Sequence, residues 1–249
     1  MPIKYNKLLA LMKEKGLTTY KIRQENIISQ SALTAIKNGK SVTTETISKL
    51  CKALDCQRGG QRMKIYTIIG GVNGVGKSSL TGVLAAESND LGVIIDTDKI
   101  TAALGGDRIR GGKEAIKRIN NSLKMGINLT QETTLSGSRT LKTIKKAREL
   151  DYFIRLYYIG VNSADESIKR IKNRVEKGGH DIPEQDVKRR YNKRFEDLAN
   201  ILPYCNEVKL YDNENGFVEK AEYRNGELLT KNKDVPEWIK CLKQYLDNK

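Results

Sequence analysis

Apolar residues in the first quarter of the chain recur at the three- and four-residue spacing of short amphipathic helices. The segment YNKLLALMKEKG carries four apolar residues on one helical face and ends at Gly16. Three further helices are predicted in LTTYKIRQEN, ISQSALTAIKNGK and SVTTETISKLCKALDC. The expected N-caps are Thr18 or Thr19, Ser29, and Thr43 or Thr46. Residues 1–57 are therefore predicted to form a small all-α domain.

From residue 64 the pattern changes to short β-branched and aromatic runs that alternate with helical segments. KIYTIIG, LGVIID, INLTQET, YFIRLYYIG and EVKLYDNE predict five strands, and GFVEKAEYRNGELLT predicts a hairpin that turns at Asn225-Gly226. A final helix carries Trp238. The alternation predicts an α/β fold with a doubly wound, mainly parallel sheet over residues 64–249. The glycine-containing stretch at 58–63 is expected to be a linker.

The charge is unevenly distributed over the 249 residues. The net charge is +15, and residues 1–62 hold 12 Lys and Arg against 4 Asp and Glu. This balance favours a nucleic-acid partner for the first domain, with a solubilising surface as the alternative.

Other features of the composition indicate a cytoplasmic protein with no membrane partner. No apolar stretch approaches the about 20 residues that span a bilayer, and the N-terminus is too polar for a secretory signal. The four cysteines lack metal-ligand spacing, and Cys51 and Cys56 are expected to be a reduced pair.

The first predicted strand leads into GGVNGVGKSS, which matches the phosphate-binding pattern G-x-x-x-x-G-K-[ST] from Gly71 to Ser78. Glycines let backbone N–H groups approach phosphates, Lys77 supplies a positive charge, and the Ser78 hydroxyl suits Mg²⁺. We therefore expect ATP and Mg²⁺ as cofactors. The predicted ATP-binding residues are Gly71, Asn73, Gly74, Val75, Gly76, Lys77, Ser78 and Ser79.

Two carboxylates follow the second predicted strand, at the sheet edge where ligands of α/β folds bind. Asp96 and Asp98 are expected to have different roles. One is expected to act as general base and the other to hold metal or cap a helix; an N-cap is the alternative for either. Glu132, Thr133 and Thr134 end the third strand.

A dense cationic region lies between residues 170 and 190 and contains Gly178-Gly179 and His180, the sole histidine. Arginines on a mobile lid suit phosphoryl transfer, because charge spreads over the transferred oxygens. The alternative is a solvated charged helix, and His180 is either structural or part of the site. The cations are Arg170, Lys172, Arg174, Lys177, Lys188, Arg189 and Arg190.

GGVNGVGKSS, IIDTDKI, GINLTQETT and RIKNRVEKGGHDIPEQDVKRRYNKRFEDL together resemble the zeta-toxin family of P-loop kinases, over residues 63–215. The resemblance implies phosphorylation of the 3′-hydroxyl of UDP-N-acetylglucosamine, so a nucleotide sugar is the expected substrate. It implies Lys77 on ATP, Ser78 on Mg²⁺ and Asp98 as base. Arg174 is expected to stabilise the transferred phosphate, and Thr133 departs from the family's glycine. The expected substrate contacts are Asp98, Glu132, Thr134, Thr143 and Arg190.

Residues 4–56 resemble the helix-turn-helix domain of phage repressors, whose third helix enters the major groove. The resemblance implies that Gln30, Ser31 and Thr34 read bases and that Lys37 and Lys40 lie near phosphates, with operator DNA as partner. A degenerate domain that binds no DNA is the alternative. Such domains often dimerise, so a homodimer is compatible with the sequence.

The fused first domain is expected to restrain the kinase in cis or to tie it to its promoter. Three other functions stay open: a transcription factor whose second domain senses a nucleotide, a small-molecule kinase with another acceptor, and a DNA-dependent ATPase.

Overall fold

A computed structural model describes residues 5–54, 63–179, 181–231 and 234–249. The chain divides into two compact units, Met1–Met63 and Lys64–Lys249. Cys56, His180 and the expected linker up to residue 62 lie outside the described residues. No described helix combines the length and the apolar character that crossing a bilayer requires.

The first unit contains four described helices around a small core. They are α1 (Asn6–Glu14), α2 (Thr19–Gln24), α3 (Gln30–Lys37) and α4 (Thr44–Ala53). The predicted caps Thr18, Ser29 and Thr43 are confirmed, since each side chain accepts a hydrogen bond from a backbone N–H in the first turn. The buried core consists of Met12, Leu17, Ile22, Ile28, Leu33, Ile36, Leu50, Cys51 and Leu54.

The second unit is built on a seven-stranded sheet of order β2-β3-β1-β4-β5-β6-β7. Strands β1 to β5 are parallel, and β6 and β7 add an antiparallel hairpin. The predicted mixed, mainly parallel sheet is confirmed. The strands are β1 (Lys64–Gly70), β2 (Val93–Asp96), β3 (Leu129–Thr133), β4 (Tyr152–Gly160), β5 (Glu207–Asp212), β6 (Val218–Arg224) and β7 (Glu227–Thr230).

Helices cover both faces of this sheet. Residues of α7, α8 and α11 pack into one core with Tyr66 and Ile68, whereas α5 packs on the opposite face, where Leu80 meets Ile69. The helices are α5 (Lys77–Glu87), α6 (Thr97–Ala103), α7 (Arg108–Met125), α8 (Arg139–Glu149), α9 (Ala164–Glu176), α10 (Glu184–Ala199) and α11 (Glu237–Asp247), with a 3₁₀ turn at Leu202–Tyr204. The 18-residue α7 was not among the sequence predictions.

The strand order brings the segments that follow β1, β2 and β3 together at the carboxyl ends of the strands. Strand β1 lies between β3 and β4, so the chain passes from β1 to β2 across the position that β3 later fills. Such a switch point opens a crevice at the carboxyl ends of the strands. The ends of β1, β2 and β3 therefore meet there, and their register pairs Asp96 and Ile69 with Glu132.

Candidate active site

The loop from Gly71 to Gly76 joins β1 to α5 in a conformation that requires glycine. Gly74 has a φ of +80°, and a Cβ there would lie 2.6 Å from the carbonyl oxygen of Ser167. Gly76 caps α5 in the left-handed region, with a φ of +96°. The loop is also held from outside, because the amide Nδ2 of Asn213 donates to the carbonyl of Val75 at 2.9 Å. This is the geometry of a phosphate-binding nest at a helix N-terminus.

Lys77 begins α5 and folds back over this loop. Its Nζ donates to the carbonyl oxygens of Gly71 and Val72, both at 2.9 Å. Burial lowers the pKa of the ammonium group to about 8, and the carboxylates of Glu132, Asp98 and Asp96 oppose that fall. The side chain is thus a half-buried cation held by main-chain oxygens in the crevice.

Ser78 lies beside two buried carboxylates. Its Oγ donates to Glu132 Oε2 at 2.6 Å and lies 3.4 Å from Asp96 Oδ2. Both carboxylates are less than a tenth exposed, and Glu132 Oε1 is buried without a hydrogen-bond partner in the described part of the chain. A hydroxyl and two carboxylates, one of which has an unsatisfied oxygen, are the hard donors that Mg²⁺ takes. These residues fit the expected metal.

Asp96 and Asp98 have different surroundings because a helix begins between them. Helix α6 begins at Thr97, so Asp98 lies in a helical turn rather than on an extended chain. Asp96 caps that helix, because its Oδ1 accepts from the backbone N–H groups of Asp98 and Lys99. Asp98 is exposed and lines two adjoining cavities. Asp96 also lines the larger cavity, but it is buried and occupied as a helix cap, so Asp98 is the more accessible of the two carboxylates.

The larger cavity has a volume of about 690 Å³ and is lined by Lys77, Asp98 and Glu132. Thr134 and Arg190, two of the predicted substrate contacts, line it as well. Arg190 donates to Asn73 Oδ1 at 2.5 Å and so joins α10 to the phosphate-binding loop. The cavity is large enough for a drug-sized molecule.

Two predicted site residues lie elsewhere. Thr143 is on α8, and its hydroxyl donates to the Arg139 carbonyl of the same helix at 3.1 Å; it does not line the 690 Å³ cavity. Arg174 lines a separate, open cavity of about 460 Å³ with Arg170 and Lys177. The roles of both residues stay predictions, and Thr143 lies outside the cavity that Asp98 and Glu132 line.

Several lining residues were not predicted from the sequence. One wall of the 690 Å³ cavity is a face of α7, formed by Gly112, Ala115, Ile116 and Ile119. The signal was present in the amphipathic pattern of residues 108–125. Gln131 also lines the cavity. The only signal for it in the sequence was a polar residue inside the third predicted strand.

The third helix of the first unit presents one polar face. Gln30, Ser31, Thr34 and Lys37 are exposed, whereas Leu33 and Ile36 of the same helix are buried. Gln30 Oε1 accepts from Arg23 Nε at 2.8 Å, and Lys37 Nζ donates to Thr19 Oγ1 at 3.3 Å. The predicted base-reading residues therefore share an accessible surface.

Comparison with known proteins supports the fold assigned to each of the two units. Residues 7–59 match the Cro/C1-type HTH DNA-binding domain. A structure from the PezAT chromosomal toxin–antitoxin system of Streptococcus pneumoniae is 16% identical, with a TM-score of 0.52 over 84% of this chain and 96% of that chain. The AvrRxo1-ORF1:-ORF2 structure with ATP is 15% identical, with a TM-score of 0.50 over 68% of this chain and 61% of that one.

The protein is thus a helix-turn-helix domain joined to an α/β domain of the P-loop kinase fold. An uncharacterized protein of Haemophilus influenzae is 35% identical over 126 residues, which are 49% of this chain and 88% of that protein. The chain belongs to the same family as that Haemophilus protein.

Proposed function

We propose that the second unit is an ATP-dependent kinase of the zeta-toxin type that phosphorylates a hydroxyl of a UDP-activated sugar, with the 3′-hydroxyl of UDP-N-acetylglucosamine as best candidate. One observation carries the proposal: a lysine and a serine of a phosphate-binding loop share one crevice with an accessible carboxylate. These are Lys77, Ser78 and Asp98. The PezAT likeness adds the fold.

The phosphate side of the crevice would hold ATP. The N–H groups of the loop and the positive end of α5 would supply hydrogen-bond donors and positive potential to the phosphates, and Lys77, which donates to two loop carbonyls in this structure, would supply a positive charge. Ser78, Asp96 and Glu132 would hold Mg²⁺, which supplies charge neutralisation on the phosphate oxygens when bound.

The acceptor side would use Asp98 as base. The acceptor hydroxyl oxygen bonds to the γ-phosphorus, the bond from that phosphorus to the ADP oxygen breaks, and the hydroxyl proton passes to Asp98. Arg190, which lines the same cavity, supplies positive charge to the transferred oxygens. Arg174 would reach them only by movement of α9, since it lines a different cavity.

Mass spectrometry of UDP-N-acetylglucosamine incubated with protein, ATP and Mg²⁺ tests the proposal. We expect a gain of one phosphate, and Asp98→Ala should lower the rate by about 10²- to 10⁴-fold. Asp247→Asn, at an exposed position in the last turn of α11, is the matched control. No gain with any UDP-sugar would exclude the substrate, and a gain that survives Asp98→Ala would exclude the base.

We further propose that the first unit binds operator DNA through Gln30, Ser31, Thr34 and Lys37. The Cro/C1-type match and the shared exposed face of α3 support this proposal. A gel shift with the fragment upstream of the gene should show retention that weakens with rising salt. Gln30→Ala should reduce discrimination between operator and random DNA. Equal retention of both by the unaltered chain would contradict operator recognition.

The first unit is also proposed to restrain the kinase. Each unit has its own buried core, so the second unit is expected to fold after removal of residues 1–62. Turnover by this shortened chain should exceed that of the full chain. Equal turnover would leave promoter binding as the role of the first unit.

Nucleotide sensing without turnover is the second candidate function. The presence of a Cro/C1-type domain and a phosphate-binding loop in one chain favours it. It predicts that operator affinity changes with ATP and that Asp98→Ala leaves this change intact.

A further inference from the structure

Gln131 occupies an unusual place in the sheet. The residues in register beside it across β2, β1 and β4 are Ile95, Ile68 and Leu156. All three are fully buried and apolar, and Gln131 itself is 8% exposed. A buried amide in an apolar row costs free energy unless its polar atoms are satisfied.

The oxygen of the Gln131 amide accepts a hydrogen bond from a residue of the core. Tyr66 lies on the same face of β1 as Ile68 and is fully buried. Its hydroxyl donates a hydrogen bond to Gln131 Oε1. Burial also raises the pKa of Tyr66, so the phenol stays protonated and remains a donor. The oxygen of Gln131 is thereby fixed toward the core.

The other half of the amide faces the cavity. Gln131 lines the 690 Å³ cavity, and its NH₂ group has no hydrogen bond to another residue in the described ranges, although it is not among their buried unsatisfied atoms. With Oε1 held by Tyr66, the group presented to a ligand is a donor. The core hydrogen bond therefore sets the polarity of this part of the cavity.

The cavity that Gln131 lines has an apolar wall, which packs with the strand neighbours of Gln131: Ala115 and Ile119 share a core with Ile68 and Ile95. Ala115, Ile116 and Ile119 form this wall on α7, whereas the cations of the cavity are Lys77, Arg139, Lys142 and Arg190. An uncharged donor beside an apolar wall complements an uncharged oxygen carried by a small apolar group. An acyl substituent has that chemistry.

We propose that Gln131, positioned by Tyr66, selects acceptors that carry an acyl substituent beside the sugar hydroxyl. This inference rests on the proposed kinase function and names its specificity residue. A site built to donate a hydrogen bond to a substrate group discriminates strongly against analogues that lack the group. The measurable quantity is the ratio of kcat/KM for UDP-N-acetylglucosamine to that for UDP-glucose.

The closing experiment measures this ratio in the full chain and in four variants. The unaltered chain should prefer the acylated sugar by at least about tenfold. Gln131→Glu keeps the shape and an oxygen for Tyr66 but replaces the donor by an acceptor, and it should bring the ratio near one. Gln131→Met removes the donor without adding charge and should do the same. Gln244→Glu, exposed on α11, should keep the ratio.

The outcomes separate the inference from the function on which it rests. A ratio that stays high in Gln131→Glu and Gln131→Met, with both rates lowered equally, would overturn the specificity role and leave the kinase intact. Tyr66→Phe should lower the ratio while keeping Gln131, and an unchanged ratio would overturn the positioning role. No transfer to either sugar by the unaltered chain would overturn the proposed function and the inference together.

Discussion

At the scale of single residues, the crevice depends on groups whose surroundings fix one state each. Lys77 is half-buried and its Nζ donates hydrogen bonds to two carbonyl oxygens, so the cation is held in place for an anion. Glu132 is buried with one oxygen on Ser78 and one unsatisfied. Such groups are costly for folding alone, which is the physical reason to expect ligands there.

The first residue-scale prediction concerns Gly74. Gly74→Ala places a side chain at positive φ and against the carbonyl of Ser167, so we expect a loss of about 1–3 kcal/mol in the free energy of unfolding and weakened ATP binding. Gly82→Ala is the matched control, because Gly82 lies in α5 with open space around it. It should stabilise by about 0.4–1 kcal/mol. Urea denaturation and ATP titration check both; equal effects of the two would contradict the loop geometry.

The second residue-scale prediction concerns Glu132. Glu132→Gln removes the charge of a proposed Mg²⁺ ligand but keeps its size. The Mg²⁺ concentration for half-maximal activity should rise at least about tenfold, since the loss of outer-sphere partners alone costs about 10- to 100-fold. Mg²⁺ titration of the kinase reaction measures this, with exposed Glu227→Gln as control. An unchanged Mg²⁺ requirement would remove Glu132 from the metal site.

At the scale of elements, chain-local signals decided where helices and strands begin. The strands β1 and β4 cover the same residues that the apolar runs predicted. Strand β2 begins at Val93, two residues later than predicted, and Gly92 just before it has positive φ with its backbone packed on Asn128. Local propensity therefore located the elements, and tertiary packing adjusted their ends.

The element-scale prediction concerns the cap of α4. Thr43→Ala removes the hydroxyl that accepts from the Thr46 N–H at 3.2 Å, which should cost about 1 kcal/mol. Hydrogen exchange of the amides of α4 should accelerate. Thr44→Ala, one residue further on at an exposed position, serves as control. Equal exchange in the two variants would show that the hydroxyl does not stabilise the helix.

At the scale of the whole molecule, two separate cores imply two separable stabilities. Ile36 is 1% exposed in the first core, and Trp238, the sole tryptophan, is 1% exposed in the second. Tryptophan fluorescence therefore reports the second unit, whereas far-UV circular dichroism reports both.

The whole-molecule prediction uses that difference. Ile36→Ala should destabilise the first unit by about 2–5 kcal/mol and shift part of the circular dichroism transition to lower urea. The fluorescence transition should stay in place. Leu156→Ala, in the second core, should shift the fluorescence transition instead. A common shift of both signals in either variant would mean that the units unfold cooperatively.

The sequence by itself determined the features that depend on short stretches of chain. The phosphate-binding loop, the caps Ser29 and Thr43, the strand–helix alternation and the exposed face of α3 all follow from local spacing. Steric and hydrogen-bonding rules that act within a few residues are sufficient for these, which is why the loop and the two kinds of domain could be predicted.

Only the tertiary structure decided what meets across the sheet. The strand order places Asp96 and Glu132 in register beside the loop, and it brings Gln131 to Tyr66 in a cavity that α7 also lines. The same packing holds Thr143 and Arg174 away from the 690 Å³ cavity. These relations depend on crossover topology and on side chains far apart in the chain, and no local pattern encodes them.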